Sequence, residues 1–240
     1  MKKLLFILSF LLISGLSAQD QLYKVSLLRA NPGSLLELID VIKEDLKTFE
    51  NYTAHQPYLL RHSQGDHWDL MLIYPIESLD RYFSANSIAK RATSASLEQV
   101  YGSSFFDLVS FQEEAIVKGP DLNDFSEAFE AFELFHIEIF TAIAGKQTEL
   151  QKQREAENRF YAGIDHRPNF IFSRVFGPSW DNFTIGCYVD MHDFAGPEVS
   201  FEMEDKAALD AGFEGVNFIG SYLRSLISSH HDTLAWKITD

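Results

Sequence analysis

Cysteine is almost missing from this chain of 240 residues: Cys187 stands alone, and an internal disulfide is thereby excluded in any compartment. It lies in the apolar run Phe183-Thr-Ile-Gly-Cys-Tyr-Val189. A nucleophilic thiolate needs an electropositive, partly exposed setting, so a small buried hydrophobe is the expected role. Basic side chains are also scarce, with 20 Lys and Arg against 35 Asp and Glu and a formal charge of −15. Binding phosphate takes clustered Lys and Arg. Neither nucleic acid nor an anionic lipid surface is therefore expected as a partner, and the acidity serves solubility. Absent too are G-x-G-x-x-G, the Walker loop, G-x-S-x-G, H-E-x-x-H and C-x-x-C, which removes nucleotide-dependent and common hydrolase chemistry.

Long apolar runs are confined to the start. Lys2 and Lys3 precede an apolar stretch from Leu4 to Leu16, then the small residues Ser17 and Ala18. This is the pattern of a secretory signal peptide over residues 1–18, shorter than the roughly 20 residues that span a bilayer. Gln19 and not cysteine stands directly after the cleavage point, so a lipid anchor is not supported. The expectation is a periplasmic or secreted protein that no membrane holds after cleavage, with a charge near −17 once both lysines are gone.

What the rest of the chain does have is a repeat. Leu22–Gly33 (LYKVSLLRANPG) aligns without a gap on Leu134–Gly145 (LFHIEIFTAIAG), His55-Gln-Pro57 on His166-Arg-Pro168, and Gly65-Asp-His-Trp68-Asp69 on Gly177-Pro-Ser-Trp180-Asp181. Three matches in one order at a nearly constant offset mark two copies of one unit, 20–117 and 133–240, joined by a connecting segment 118–132. Alternation and turn residues predict a strand over 22–30 and 134–142, then a helix over 34–51 and 146–162. A hairpin follows over 57–63 and 68–75, or 168–175 and 181–189, with Gly65 and Gly177 in its turns. A second helical region and a last strand, 105–111 or 233–238, complete β-α-β-β-α-β. The connecting segment is too apolar, with Phe125, Phe129 and Phe132, to be a free linker. A short helix from Asn123, packed on the body, is expected there.

A tandem pair of such units resembles the dimeric α+β barrel superfamily, which includes the antibiotic-biosynthesis monooxygenases, the NIPSNAP-type proteins and the heme-handling chlorite dismutase group. The resemblance implies α+β architecture: tandem ferredoxin-like repeats forming an intrachain α+β barrel, as a monomer or a homodimer. It rests on topology and duplication, so it carries fold further than function.

If helices cover the apolar face of each sheet, alternation turns the other face toward the barrel interior. The apolar set is Tyr23, Val25 and Leu27, matched by Phe135, Ile137 and Ile139. The set then assigned to the interior is Lys24, Ser26 and Leu28 in the first copy, and His136, Glu138 and Phe140 in the second. Asn182 and Thr184 join the second copy's polar patch, and Gly186 leaves space beside them. His136 and Glu138 are the candidate catalytic pair, a base and its orienter. Spacing alone is far less specific for a metal than H-E-x-x-H, so a structural hydrogen bond between them outweighs a reading as two metal ligands lacking a third, and no metal is assigned. Lys24, Ser26, Asn182, Thr184 and His166 are candidate ligand contacts. Recurrence of His55 and His166 in both copies favours a helix-end role for those two, and Trp68 and Trp180 are expected to pack the hairpins. His230 and His231 fall in a solvated turn before the last strand.

The expected function is the binding of a small, largely apolar molecule in the barrel cavity by an exported protein. Two alternatives stand beside it: a cofactor-independent oxygenase or heme-linked enzyme, and an assembly protein. The cofactor is unknown at this level.

Overall fold

The computed structural model describes residues 21–49, 57–94 and 104–238. The expected signal segment, His55 and part of the first copy's second helical region lie outside them. Eight strands alternate with helices: β1 Gln21–Ala30, α1 Leu35–Phe49, β2 Tyr58–Gln64, β3 Leu70–Ile76, α2 Leu79–Tyr82, α3 Ala85–Ser94, α4 Ser104–Leu108 and β4 Val109–Gly119. Then come α5 Leu122–Ala131, β5 Leu134–Ala142, α6 Gln147–Gly163, β6 Phe170–Phe176, β7 Asn182–Tyr188, α7 Met191–Ala195, α8 Phe201–Ala211, α9 Ile219–Leu226 and β8 Ile227–Lys237. None of the described helices is long and apolar enough to cross a membrane.

Every strand pair is antiparallel, and the order β1-β3-β2-β8-β5-β7-β6-β4 closes on itself. The β2–β8 and β4–β6 pairs join the two repeats. Closure thus takes place within one chain, and the α+β barrel expected from the duplication is the observed architecture.

The repeated Asp and Gly positions explain how the copies are cut to length. Asp69 Oδ2 accepts from the Ala30 amide and Asp181 Oδ2 from the Ala142 amide, both at 2.8 Å. Each tie sits where the first strand of its copy shifts register against the last, at Arg29/Ala30 and Thr141/Ala142. Gly177, at φ 127°, presses on the other repeat: a Cβ there would come 2.7 Å from the Glu114 carbonyl oxygen. Only glycine combines that φ with that approach.

Two strand limits differ from expectation. The first copy's last strand begins at Val109, because Ser104–Leu108 turns as a helix that buries Phe105 against Leu38 and its neighbours. It then runs to Gly119 to stay paired along the whole of β1. In the second copy β8 starts at Ile227, so His230 and His231 lie inside a strand rather than in a turn.

The larger correction concerns the faces. Tyr23, Val25, Leu27, Leu60, Met71, Ile73, Val117, Phe135, Ile137, Phe172, Phe183, Ile185 and Ala235 form one buried cluster drawn from all eight strands. Only the barrel interior touches every strand, so the apolar set points inward and the polar set lies outside, beneath the helices. The interior is filled by rings: Phe172 stacks on Phe183 at 4.5 Å and meets Tyr23 edge-on at 5.4 Å. Phe125 of α5 closes one end, within 4.7 Å of Tyr58 and 5.3 Å of Phe172 between ring centroids. Trp180 is buried at the other end, donating through Nε1 to Glu113 at 2.8 Å, and Trp68 is fully buried with it. An interior this full leaves no room for the expected barrel ligand. Cys187 belongs to the same cluster, and burial pushes its thiol up to about 12.

Candidate active site

Outside the barrel the two copies are covered differently. Over the first sheet, α1 lays Leu38, Ile39 and Ile42 onto Leu28, Leu59, Leu70 and Leu72. Over the second sheet, α6 buries Leu150, Gln153 and Arg154 on its sheet-facing side. Arg154 is 2% exposed, and a guanidinium so enclosed must be paired. Its Nη1 lies 3.6 Å from Glu138 Oε2, its Nη2 pairs with Glu157, its Nε donates to Gln153 Oε1 at 2.7 Å, and its plane sits 4.6 Å from the Phe140 ring centre. Gln153 and Tyr161 both donate to Glu157, at 2.8 and 3.0 Å.

Glu138 is the sheet's contribution to this layer. Thr184 Oγ1 donates to its Oε2 at 3.1 Å. Across the ladder Glu138 faces Thr184 on one side and Asp232 on the other. Two carboxylates opposed on neighbouring strands repel if both are charged. Burial, the largest influence, pushes the Glu138 carboxyl above its ordinary 4.5, against the pull of Arg154 and His136. The sheet therefore holds an acid that tends to keep its proton. Burial and the nearby Glu157 likewise raise the Tyr161 phenol, so it stays a donor.

His136 stands at the open margin of the layer, 20% exposed. Its Nε2 is 3.4 Å from Asp232 Oδ1, and Asp232 Oδ2 is 3.1 Å from His230 Nε2. Phe194 of α7 covers the imidazole at 5.3 Å, held in turn by Tyr188 at 5.1 Å. His230 lies flat on Phe140, 5.9 Å away. One row of outer-face side chains thus runs from buried Arg154 through Glu138 to a half-exposed Asp232 carboxylate flanked by two imidazoles. Among the described residues no group of three His, Cys, Asp or Glu is arranged to hold a metal ion.

Of the seven residues singled out from the sequence, His136, Glu138 and Thr184 come together here. Asn182 lies on the same strand as Thr184, one outer-face position along, with its Oδ1 buried and unpartnered. Lys24 and Ser26 do not join them. They sit on β1, across the barrel from β5, where Glu114 binds the Lys24 ammonium at 2.6 Å and accepts from Ser26 at 3.3 Å. His166 stands apart as well. Its backbone N–H donates to the Tyr161 carbonyl at 2.8 Å, a helix-end role, while its ring rests against Gly196. The space expected beside Gly186 is taken by the Tyr188 hydroxyl and the Asn169 amide, which a Cβ there would meet at 2.9 and 2.8 Å. Arg154, Glu157 and Asp232 were missed. The available signal was the sheet-facing spacing of Leu150, Gln153, Arg154, Glu157 and Tyr161: a helix with so polar a stripe needs a polar sheet face beneath it.

No protein-family profile and no curated protein sequence matches this chain. Solved structures do. An anthrone oxidase-like protein superimposes with a TM-score of 0.59 at 9% identity, over 92% of this chain and 93% of that one. A candidate monooxygenase from Fusobacterium nucleatum gives 0.53 at 7%, over 92% and 94%. Another from Lactobacillus acidophilus gives 0.50 at 9%, over 92% and 95%. The chain has the dimeric α+β barrel fold. At such identities the likeness speaks for the fold alone.

The resemblance to the heme-handling group implies a porphyrin as one alternative, and the place for it would be the layer between α6 and the sheet. Gln153 and Arg154, 1% and 2% exposed, fill it, and Arg154 spans directly to Glu138. There is no histidine on α6, and His136 is engaged by Asp232 beneath Phe194. As it stands, this layer does not fit a porphyrin.

Proposed function

We propose that the outer face of the second repeat is a general acid–base site for a small organic molecule, and that the protein is a cofactor-independent oxygenase. The observation that carries the reading is the asymmetry of the copies. His136, Glu138 and Thr184 replace Lys24, Ser26 and Leu72 of the first repeat, and Arg154 is buried behind them. A duplicated scaffold that needs only stability has no use for a buried arginine and a buried carboxyl in one copy alone.

In this reading His136 is the base and Asp232 orients and stabilises the imidazolium it becomes. Glu138, whose pKa burial raises, is the proton donor on the same face. The substrate carries a weakly acidic C–H or O–H group on an apolar, ring-bearing body that lies over Leu234 and Phe194. Proton removal leaves an electron-rich carbanion that reacts directly with dioxygen. A CH2 group becomes C=O, one oxygen atom is kept, the other leaves as water, and both electron pairs come from the substrate. The names of the structural neighbours support this class of reaction.

Oxygen uptake with a panel of anthrones and related phenols tests it. Wild-type protein should consume oxygen with at least one member, and His136→Ala should lose about 10²–10⁴-fold in rate with an unchanged circular dichroism spectrum. Undiminished turnover in His136→Ala would remove the residue from the mechanism.

Export belongs to the same proposal, supported by the Lys2-Lys3 and Leu4–Leu16 pattern. The intact mass of protein purified from its own host should lack residues 1–18; a full-length mass would overturn it.

A further inference from the structure

A groove of about 570 Å³ lies where α5 meets the start of β6 and the C-terminal half of α6, a volume within the range of small-molecule sites. It does not involve His136, Asp232 or Glu138. Its lining includes Arg167 and Asn169 ahead of β6, Asp121 and Asp124 at the start of α5, and the apolar rings of Phe132 and Phe170.

Asn169 marks this as more than a surface dip. Its residue is 9% exposed. The Asn158 side chain satisfies both its backbone groups, accepting from its N–H at 2.9 Å and donating to its carbonyl at 2.7 Å. Its own side-chain amide makes no hydrogen bond to any described residue. That amide opens on the groove, where a ligand can pair with it. Arg167 is fixed beside it: Nε donates to the Cys187 carbonyl at 3.0 Å, Nη2 pairs with Asp193, and the guanidinium lies 4.8 Å from the Phe132 ring centre. Nη1 is the donor left for a ligand.

The start of α5 has the opposite charge character. Asp121 Oδ1 already caps α5, accepting from Asn123 and Asp124 amides at 2.8 and 3.4 Å. That helix terminus is therefore satisfied and shows a carboxylate to the groove instead of free N–H groups. Asp124, exposed, adds a second negative charge at the third position of the helix.

A guanidinium, a side-chain amide without a protein partner, two carboxylates and two aromatic rings lining one groove complement a molecule with both charges and an apolar body. We infer that the groove binds a small zwitterion of the amino-acid class with an apolar side chain. Its carboxylate meets Arg167 and Asn169, and its ammonium meets Asp121 and Asp124.

Titration calorimetry on the whole protein with L-phenylalanine, phenethylamine and 3-phenylpropanoate tests this, since the last two each keep one charge and the same ring. L-phenylalanine should bind, and each single-charge analogue should bind at least about tenfold more weakly, a difference of roughly 1.4 kcal/mol. Asn169→Ala and Asp124→Asn should each weaken L-phenylalanine several-fold with unchanged thermal midpoints. No heat from L-phenylalanine at about 10 mM, beyond the weak end of ordinary affinities, would overturn the inference. So would an analogue binding as tightly as the zwitterion, or both variants binding like wild type.

Discussion

Glu138 concentrates the electrostatics of the molecule. It accepts from Thr184, faces Arg154 at 3.6 Å and opposes Asp232 across the ladder, yet burial outweighs its cationic neighbours and raises its pKa. A carboxyl whose folded pKa exceeds its unfolded value adds stability that is fully present below the unfolded value. That stability is lost as pH rises through the folded one. Glu138→Gln is neutral throughout, so from the ordinary carboxylate range upward its stability relative to wild type should shift in its favour as pH rises through the raised folded pKa. Denaturant midpoints measured on both proteins across that range check this; a constant difference would mean that Glu138 titrates normally. His136, Glu138 and Thr184 could be picked out from the sequence because alternation puts them on one face. Their partners could not: Arg154 arrives on α6 and Asp232 on β8, and no local spacing links those elements to β5.

Elements decide which face is which. Alternation divides a strand's residues into two sets without saying which set faces the barrel, and helices were expected over the apolar one. Both faces are in fact covered. The interior takes the aromatic set, while the outer face adapts to its helix: leucines under Leu38 and Ile42 of α1, polar groups under Gln153 and Arg154 of α6. The back of α6 remains apolar, with Ala156 and Phe160 against Ala207, Ala208 and Ala211 of α8. The connecting helix was legible in outline from its three phenylalanines, but its use as the barrel's end plug appears only in three dimensions. Phe125 is fully buried there, touching rings from both repeats. Phe125→Ala should cost about 3–5 kcal/mol, the range for large aromatic truncations in cores, in equilibrium urea unfolding. A loss under about 1 kcal/mol, typical of surface changes, would show that α5 is a detachable flap.

At the scale of the whole molecule, duplication builds a closed body from two half-barrels. The pairs β2–β8 and β4–β6 seal it with no strand edge left open, so closure asks for no second chain. Repeat and topology were legible because the Gly, Trp and Asp positions recur in both copies, each fixing a turn or a strand end. Division of labour was legible only in part, as a difference in polarity between matching strands. One copy is sealed by leucine under α1, the other carries the charged layer, and the interior between them is solid. Turnover measured side by side in two variants tests this division most directly: His136→Ala on the outer face, and Phe172→Leu in the interior. The account predicts that His136→Ala loses oxygen uptake while Phe172→Leu, though less stable, keeps it at temperatures where it remains folded. Activity that survives in His136→Ala but disappears in folded Phe172→Leu would put the working site inside the barrel and contradict the account.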